Sequence, residues 1–206
     1  MVEVSHTKDE VWFEFSRGRF ELTKSIIGCL VLLSVLLTQP MANGARPQDS
    51  IESYTKVGQQ VPSFKITDLA GNEINMDTLR GKVVFVNFWA TWCAPCLTEL
   101  PRVEKEIWRK LKSDDFVMIA IAREQTNDEI TEFKNARRLT LPMASDPQRE
   151  IFSLFANGGI PRNYVVSGDG HIVYQSDGYV PSEFGKMKKV IDDELRKLRE
   201  AKAAAG

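Results

Sequence analysis

The chain after Ala45 predicts an α/β fold, a mixed β-sheet with helices on both faces, and three observations carry that reading. Lys82–Trp89 (K-V-V-F-V-N-F-W) and Phe116–Ala122 (F-V-M-I-A-I-A) are apolar on both faces, as strands buried inside a sheet are. Each is followed by a stretch whose apolar residues recur every three or four positions, the period of a helix with one buried side. The final strand pair is joined by S-G-D-G (Ser167–Gly170), a strong hairpin signal. Strands that alternate with helices and end in a hairpin give a mixed sheet.

The elements follow in order. Residues 46–60 form a polar linker. Ser63–Thr67 and Glu73–Met76, separated by the turn residues D-L-A-G-N (Asp68–Asn72), predict a β-hairpin, and Asp77 or Thr78 opens one helical turn before Gly81. Lys82–Trp89 is the central strand. Leu97, Leu100, Val103, Ile107 and Leu111 stripe a helix, and Phe116–Ala122 is the second buried strand. Ile130, Phe133 and Leu139 predict a helix over Asn127–Arg138, and Leu141–Ala144 a short strand. Pro147 behind Asp146 suits the start of a further helix, with Ile151, Leu154 and Phe155 on its apolar side. Arg162–Val166 and Ile172–Gln175 form the closing hairpin. Phe184, Met187, Ile191, Leu195 and Leu198 then stripe a last helix.

The bulk composition fits one such core. The 206 residues are 43% apolar and 27% charged, with a formal net charge of −1. That balance gives no reason to expect nucleic acid or an acidic polymer as partner. Ahead of the core lies the apolar run Ile26–Leu37, preceded by Lys24 and set within the charge-free stretch Ser25–Ala45. A short apolar run with a basic flank and small residues downstream has the features of a secretory signal peptide, and the stretch is just long enough for an uncleaved membrane anchor. The acidic residues Glu3, Asp9, Glu10, Glu14 and Glu21 are irregular for a signal. They imply either a true start further along or a cytoplasmic tail. A buried core helix is disfavoured by the polar stretch Asn43–Ser50 that follows. A lipid-attachment box at Ile26–Cys29 is disfavoured because most of the apolar run follows the cysteine. The expected organisation is therefore a tail with signal or anchor (1–45), a linker (46–60) and one folded domain (61–202).

Only three cysteines occur, Cys29, Cys93 and Cys96, too few for a disulfide-built scaffold. Cys93 and Cys96 close the motif F-W-A-T-W-C-A-P-C (Phe88–Cys96), where the central strand gives way to the striped helix. Two cysteines three residues apart at a helix start can close a small disulfide ring. Pro95 fits the first turn, where its missing N–H costs nothing. Unpaired N–H groups and the positive end of the helix dipole stabilise a thiolate there, and the thiolate is the reactive form. Cys93, at the loop end, is expected to be exposed and to attack. Cys96, one turn in beside Leu100, is expected to be buried and to resolve the mixed disulfide. A zinc site needs two more ligands, and His6 and His171 are lone and remote. A purely structural disulfide stays open.

The stretch from about Gly58 to Arg199 resembles the thioredoxin superfamily, in its extracytoplasmic TlpA/ResA-like branch. The resemblance rests on W-C-A-P-C after V-V-F-V-N-F-W-A-T, on Val61–Asn72 as the branch's N-terminal hairpin, and on Asn127–Phe155 as its helix–strand–helix insertion. It rests also on G-G-I-P-R-N-Y-V-V (Gly158–Val166) as the segment holding the superfamily's cis-proline. It implies a thioredoxin-like fold with Pro161 as that cis-proline, facing the cysteine pair, and the Ile160 backbone free to pair with an extended substrate. Trp92, Ala94 and Pro95 would complete the docking surface around Cys93. It implies that Glu99 lies near the thiols and, with Asn87 standing where thioredoxins carry a buried Asp, serves as acid or base for Cys96. A surface Glu that merely complements the helix dipole is the alternative for Glu99. Phe88 and Trp89 are expected to pack, and Lys186–Lys189 to be the solvated face of the last helix.

The implied activity is thiol–disulfide exchange, without bound cofactor or metal, on thiol- or disulfide-bearing envelope proteins, apocytochrome c among them. A membrane donor would supply the electrons. Ala-Pro between the cysteines is closer to the Gly-Pro of reducing thioredoxins than to oxidising variants. Two alternatives are a peroxiredoxin-like thiol peroxidase, which would need a T-x-x-C loop that is absent, and a non-catalytic binding domain.

Overall fold

A computed structural model of the protein describes residues 50–113 and 115–205. The apolar run Ile26–Leu37, Cys29 and His6 lie outside those residues. Among the described residues no helix is long and apolar enough to cross a membrane.

The domain opens with a separate antiparallel hairpin, β1 (Lys65–Thr67) and β2 (Glu73–Asn75). Its D-L-A-G-N turn is closed by Asp68, whose Oδ1 accepts the N–H groups of Ala70 (2.9 Å) and Asn72 (2.8 Å), the local bonding that makes Asp a turn residue. A 3₁₀ turn, Met76–Thr78, follows. The main sheet has five strands in the order β5-β4-β3-β6-β7. β3 (Val83–Trp89) is central and wholly buried. It runs parallel to β4 (Phe116–Arg123), which is itself parallel to β5 (Met143–Asp146). On its other side β3 is antiparallel to β6 (Arg162–Val166), and β6 to the edge strand β7 (Ile172–Asp177).

Helix α1 (Ala94–Val103) follows β3 and continues through a π-helical turn, Glu104–Trp108, into a last α-turn, Arg109–Leu111. Pro101 inside α1 can donate no hydrogen bond, and the ladder widens to the π pattern just beyond it. The buried Glu104 then uses its carboxylate to accept from Thr140 N (2.9 Å), Thr140 Oγ1 (2.6 Å) and Leu141 N (2.9 Å). α2 (Asn127–Ala136) starts at a capping box, with Thr126 and Glu129 each accepting from the other's N–H, worth about 1 kcal/mol. α3 (Pro181–Ala205) closes the chain.

The sheet separates two apolar clusters. On one face Val83, Phe85 and Trp89 meet Leu100 and Val103 of α1, Ile130 of α2, and Phe184, Met187, Ile191 and Leu195 of α3. On the other, Val84, Val86 and Phe88 meet the hairpin residues Phe64, Ile66 and Ile74 together with Phe152 and Phe155. The sequence predicts helices on both faces, with a second insertion helix after Pro147. The structure places all three α-helices on one face, and the expected second helix is a single 3₁₀ turn, Phe152–Leu154. Asp146 Oδ2 accepts from the N–H groups of Ile151 (3.2 Å) and Phe152 (2.8 Å), and Arg149 takes a left-handed φ of 62°, which interrupts a helix. The helix predicted to Arg138 likewise stops at Ala136, with Arg138 at φ 52° turning Leu139 into the core. Of the lysines in 186–189, Lys186 and Lys189 stand on the surface, paired with Glu183 and Asp193, whereas Lys188 is part-buried against Glu106 and the Phe184 ring, and Met187 is buried.

Candidate active site

β3 delivers the chain to the top of the sheet, and Ala90–Trp92 carry it into α1. Cys93 is the N-cap of that helix. Its N–H donates to Ala90 O (3.2 Å), and its carbonyl accepts from Leu97 N (3.0 Å). The turn before it is held by Gln125, which accepts from Thr91 N (2.7 Å) and donates to Thr91 Oγ1 (2.5 Å). Cys93 and Cys96 are joined by a disulfide, S–S 2.06 Å and Cα–Cα 5.2 Å. The Cys96 N–H points at Cys93 Sγ, 3.3 Å away, so the helix end faces the sulfur that would carry the charge in the reduced state.

The expectation of an exposed Cys93 is corrected. Cys93 is 5% exposed and Cys96 fully buried. Trp92, Ala94 and Pro95 beside it are open, with Trp92 60% exposed and the Arg123 guanidinium 5.7 Å from its ring centroid. What covers Cys93 comes from across the site. The Ile160–Pro161 peptide is cis, and the Ile160 carbonyl oxygen lies 3.6 Å from Cys93 Sγ. The Ile160 N–H has no hydrogen-bond partner among the described residues, whereas the Pro161 carbonyl accepts from Gly178 N (2.8 Å). Phe88 and Trp89 are fully buried, Phe88 against Phe152, Phe155 and Tyr164, and Trp89 against Phe133.

Glu99 shares the buried side of α1 with Cys96, one turn away, and is 2% exposed. It is not a surface residue complementing the dipole. Asn87 of β3 and Asn163 of β6 stand opposite each other in the sheet register. Asn163 Nδ2 donates to Glu99 Oε1 (2.8 Å), and Asn87 Nδ2 to Glu99 Oε2 (3.2 Å) and to Asn163 Oδ1 (2.8 Å). Burial raises the Glu99 carboxyl to about 7, and the two amides and the Arg102 charge pull it back only in part. Asn87 Oδ1, at the other end of the amide that donates to Glu99, is buried without a hydrogen-bond partner. Asn163 and Gln125 escape sequence reasoning. The signal for Asn163 is a polar residue inside an otherwise apolar buried strand. No three His, Cys, Asp or Glu side chains converge as a metal-binding group among the described residues, and His171 sits on the β6–β7 turn beside Asp169.

Comparison with known proteins gives the family of the chain that carries this site. The AhpC/TSA family profile matches residues 57–175. The thiol-disulfide oxidoreductase ResA of Bacillus anthracis is 34% identical over 137 residues, covering 66% of this chain and 79% of its own. A candidate protein disulfide isomerase from Bacteroides thetaiotaomicron superposes with a TM-score of 0.68 at 34% identity, covering 71% of this chain and 94% of its own. The exposed lipoprotein thioredoxin Etrx1 of Streptococcus pneumoniae does so with a TM-score of 0.50 at 25% identity, covering 66% and 99%. The family match over residues 57–175 and the ResA relative show that this chain, with its disulfide-linked C-x-x-C pair at a helix start opposed by a cis-proline in a mixed sheet, is a member of the AhpC/TSA family and a ResA-like thiol–disulfide oxidoreductase.

Proposed function

We propose that the protein reduces disulfides of other proteins outside the cytoplasm, apocytochrome c among them, with Cys93 as the attacking sulfur. The observation that carries this is the buried Glu99, held by Asn87 and Asn163 one turn from the cysteine that must later lose its proton. In the reduced protein the Cys93 thiolate, favoured by the helix end, attacks one sulfur of a substrate disulfide. A mixed disulfide forms and the first substrate thiolate leaves. Cys96 then gives its proton to the Glu99 carboxylate and attacks Cys93 Sγ. The second substrate thiolate leaves, and the Cys93–Cys96 disulfide holds the two lost electrons' worth of oxidation. A dithiol donor at the membrane restores the pair. A carboxyl titrating near 7 both accepts and releases that proton at neutral pH.

Docking uses the open surface around Cys93, made by Trp92, Ala94 and Pro95, and the cis-Pro161 loop, where the unpaired Ile160 N–H suits an extended polypeptide. The extracytoplasmic setting is supported by the apolar run Ile26–Leu37 and by a relative described as an exposed lipoprotein. Trapping tests the reading. A Cys96→Ser variant expressed in its native envelope is expected to hold substrate proteins as mixed disulfides through Cys93, identifiable by mass spectrometry, whereas Cys93→Ser holds none. Equal yields from the two variants would remove Cys93 as the attacking sulfur.

A further inference from the structure

The loop that carries Ile160 is tied down by one buried guanidinium. Arg162, the first residue of β6, is only 2% exposed. Its Nε donates to the carbonyls of Gly158 (2.8 Å) and Gly159 (3.1 Å), its Nη1 to Ser53 Oγ (2.6 Å) and its Nη2 to Asp177 Oδ2 (3.1 Å). Burying a full charge is costly unless its donors are filled. A strand start needing only packing is served better by an apolar side chain. Every bond of this guanidinium instead gathers the surroundings of one loop: the two carbonyls just before Ile160, the neighbouring strand and the segment entering the domain. Gly159 has φ 75°, and a Cβ there would lie 2.5 Å from Asp177 Oδ1, so the carboxylate closes on the loop backbone itself. The entering segment is strapped to the same loop. Asn157 accepts from Glu52 N (2.7 Å) and donates to Ser50 O (2.9 Å), and Tyr54 N donates to Phe155 O (2.8 Å).

We propose that Arg162 is a positioning residue for the polypeptide substrate. By fixing the Gly158 and Gly159 carbonyls between the strap and Asp177, it holds the Ile160 main chain at pairing distance from a peptide engaged on Cys93. The inference rests on the proposed reading that a polypeptide disulfide docks at Ile160. Lysine keeps the charge opposite Asp177 but cannot span four acceptors in a plane. Arg162→Lys is therefore expected to raise KM for a denatured protein disulfide about tenfold, with kcat and the reaction with a small aromatic disulfide kept within about twofold. Ser53→Ala removes one bond from an exposed residue and is expected to raise the same KM by about two- to threefold.

Equal losses on the two substrates would make Arg162 merely structural and overturn the proposal, as would an unchanged KM in both variants. Should Arg162→Lys not fold, Ser53→Ala decides alone, and an unchanged KM there overturns it. A wild-type protein that turns over the small disulfide but no polypeptide would remove the underlying reading, and the inference with it.

Discussion

Glu99→Gln should remove a stability dependence that no other residue of the site imposes. The carboxyl moves from 4.5 in the unfolded chain to about 7 in the fold, driven by burial. Between those values the folded protein holds a proton that the unfolded chain releases. Stability is therefore full below about pH 4.5 and falls as pH rises through about 7. At about 1.4 kcal/mol for each pH unit between the two values, the whole loss is about 3 kcal/mol. Glutamine cannot ionise and escapes this loss. Urea unfolding of the oxidised wild type and variant, from about pH 4 to about pH 8, reads the difference with the cysteines locked and silent. The wild type minus variant stability is expected to drop by about 3 kcal/mol across that range. Glu106 and Asp169, each lowered to about 2 by their hydrogen-bond partners, titrate below the window. A difference that stays constant with pH would refute a proton held on Glu99, and with it the acid–base role.

Two further outcomes follow from the packing. Glu104→Gln keeps an oxygen on the Thr140 and Leu141 N–H donors only by turning its N–H₂ toward the Arg109 guanidinium and the Thr140 hydroxyl, and it removes the charge that Arg109 pairs with. It should destabilise the domain by about 2–3 kcal/mol, seen as a lower urea midpoint with an unchanged slope. Trp92→Ala removes a side chain that is mostly in solvent. Stability is expected to hold within about 0.5 kcal/mol, while KM for a protein disulfide rises about fivefold in steady-state assays. A matching fall in the small-disulfide rate would count against docking by the indole.

The parts legible in the sequence are those written in short-range pattern. β3 and β4 announce themselves as apolar runs, α1 and α3 as stripes, and the cysteine pair and Pro161 as motifs with a local rationale. What the pattern hides is set by distant partners. Cys93 sits at a helix tip, which reads as exposed, yet the Ile160 carbonyl, 67 residues later in the chain, lies over it. Glu99 reads equally well as a surface residue until the register pairs Asn87 with Asn163 and brings both amides onto its carboxylate. The lost insertion helix has the same origin. Pro147, Ile151 and Leu154 fit a helix locally, but Asp146 captures the two N–H groups that helix would have needed.

Ile160 packs against both apolar clusters, the one beneath α1 and α3 and the one beneath the N-terminal hairpin. The strands otherwise insulate these layers from one another, so a volume change in one is ordinarily absorbed on its own side. At this residue the insulation ends. Repacking either layer shifts the same side chain, and that side chain belongs to the edge that meets the sulfur pair. Among the described residues, sequence drift in two separate halves of the interior is thereby yoked through this isoleucine, and the reactive end of the molecule registers changes made on either side of the sheet.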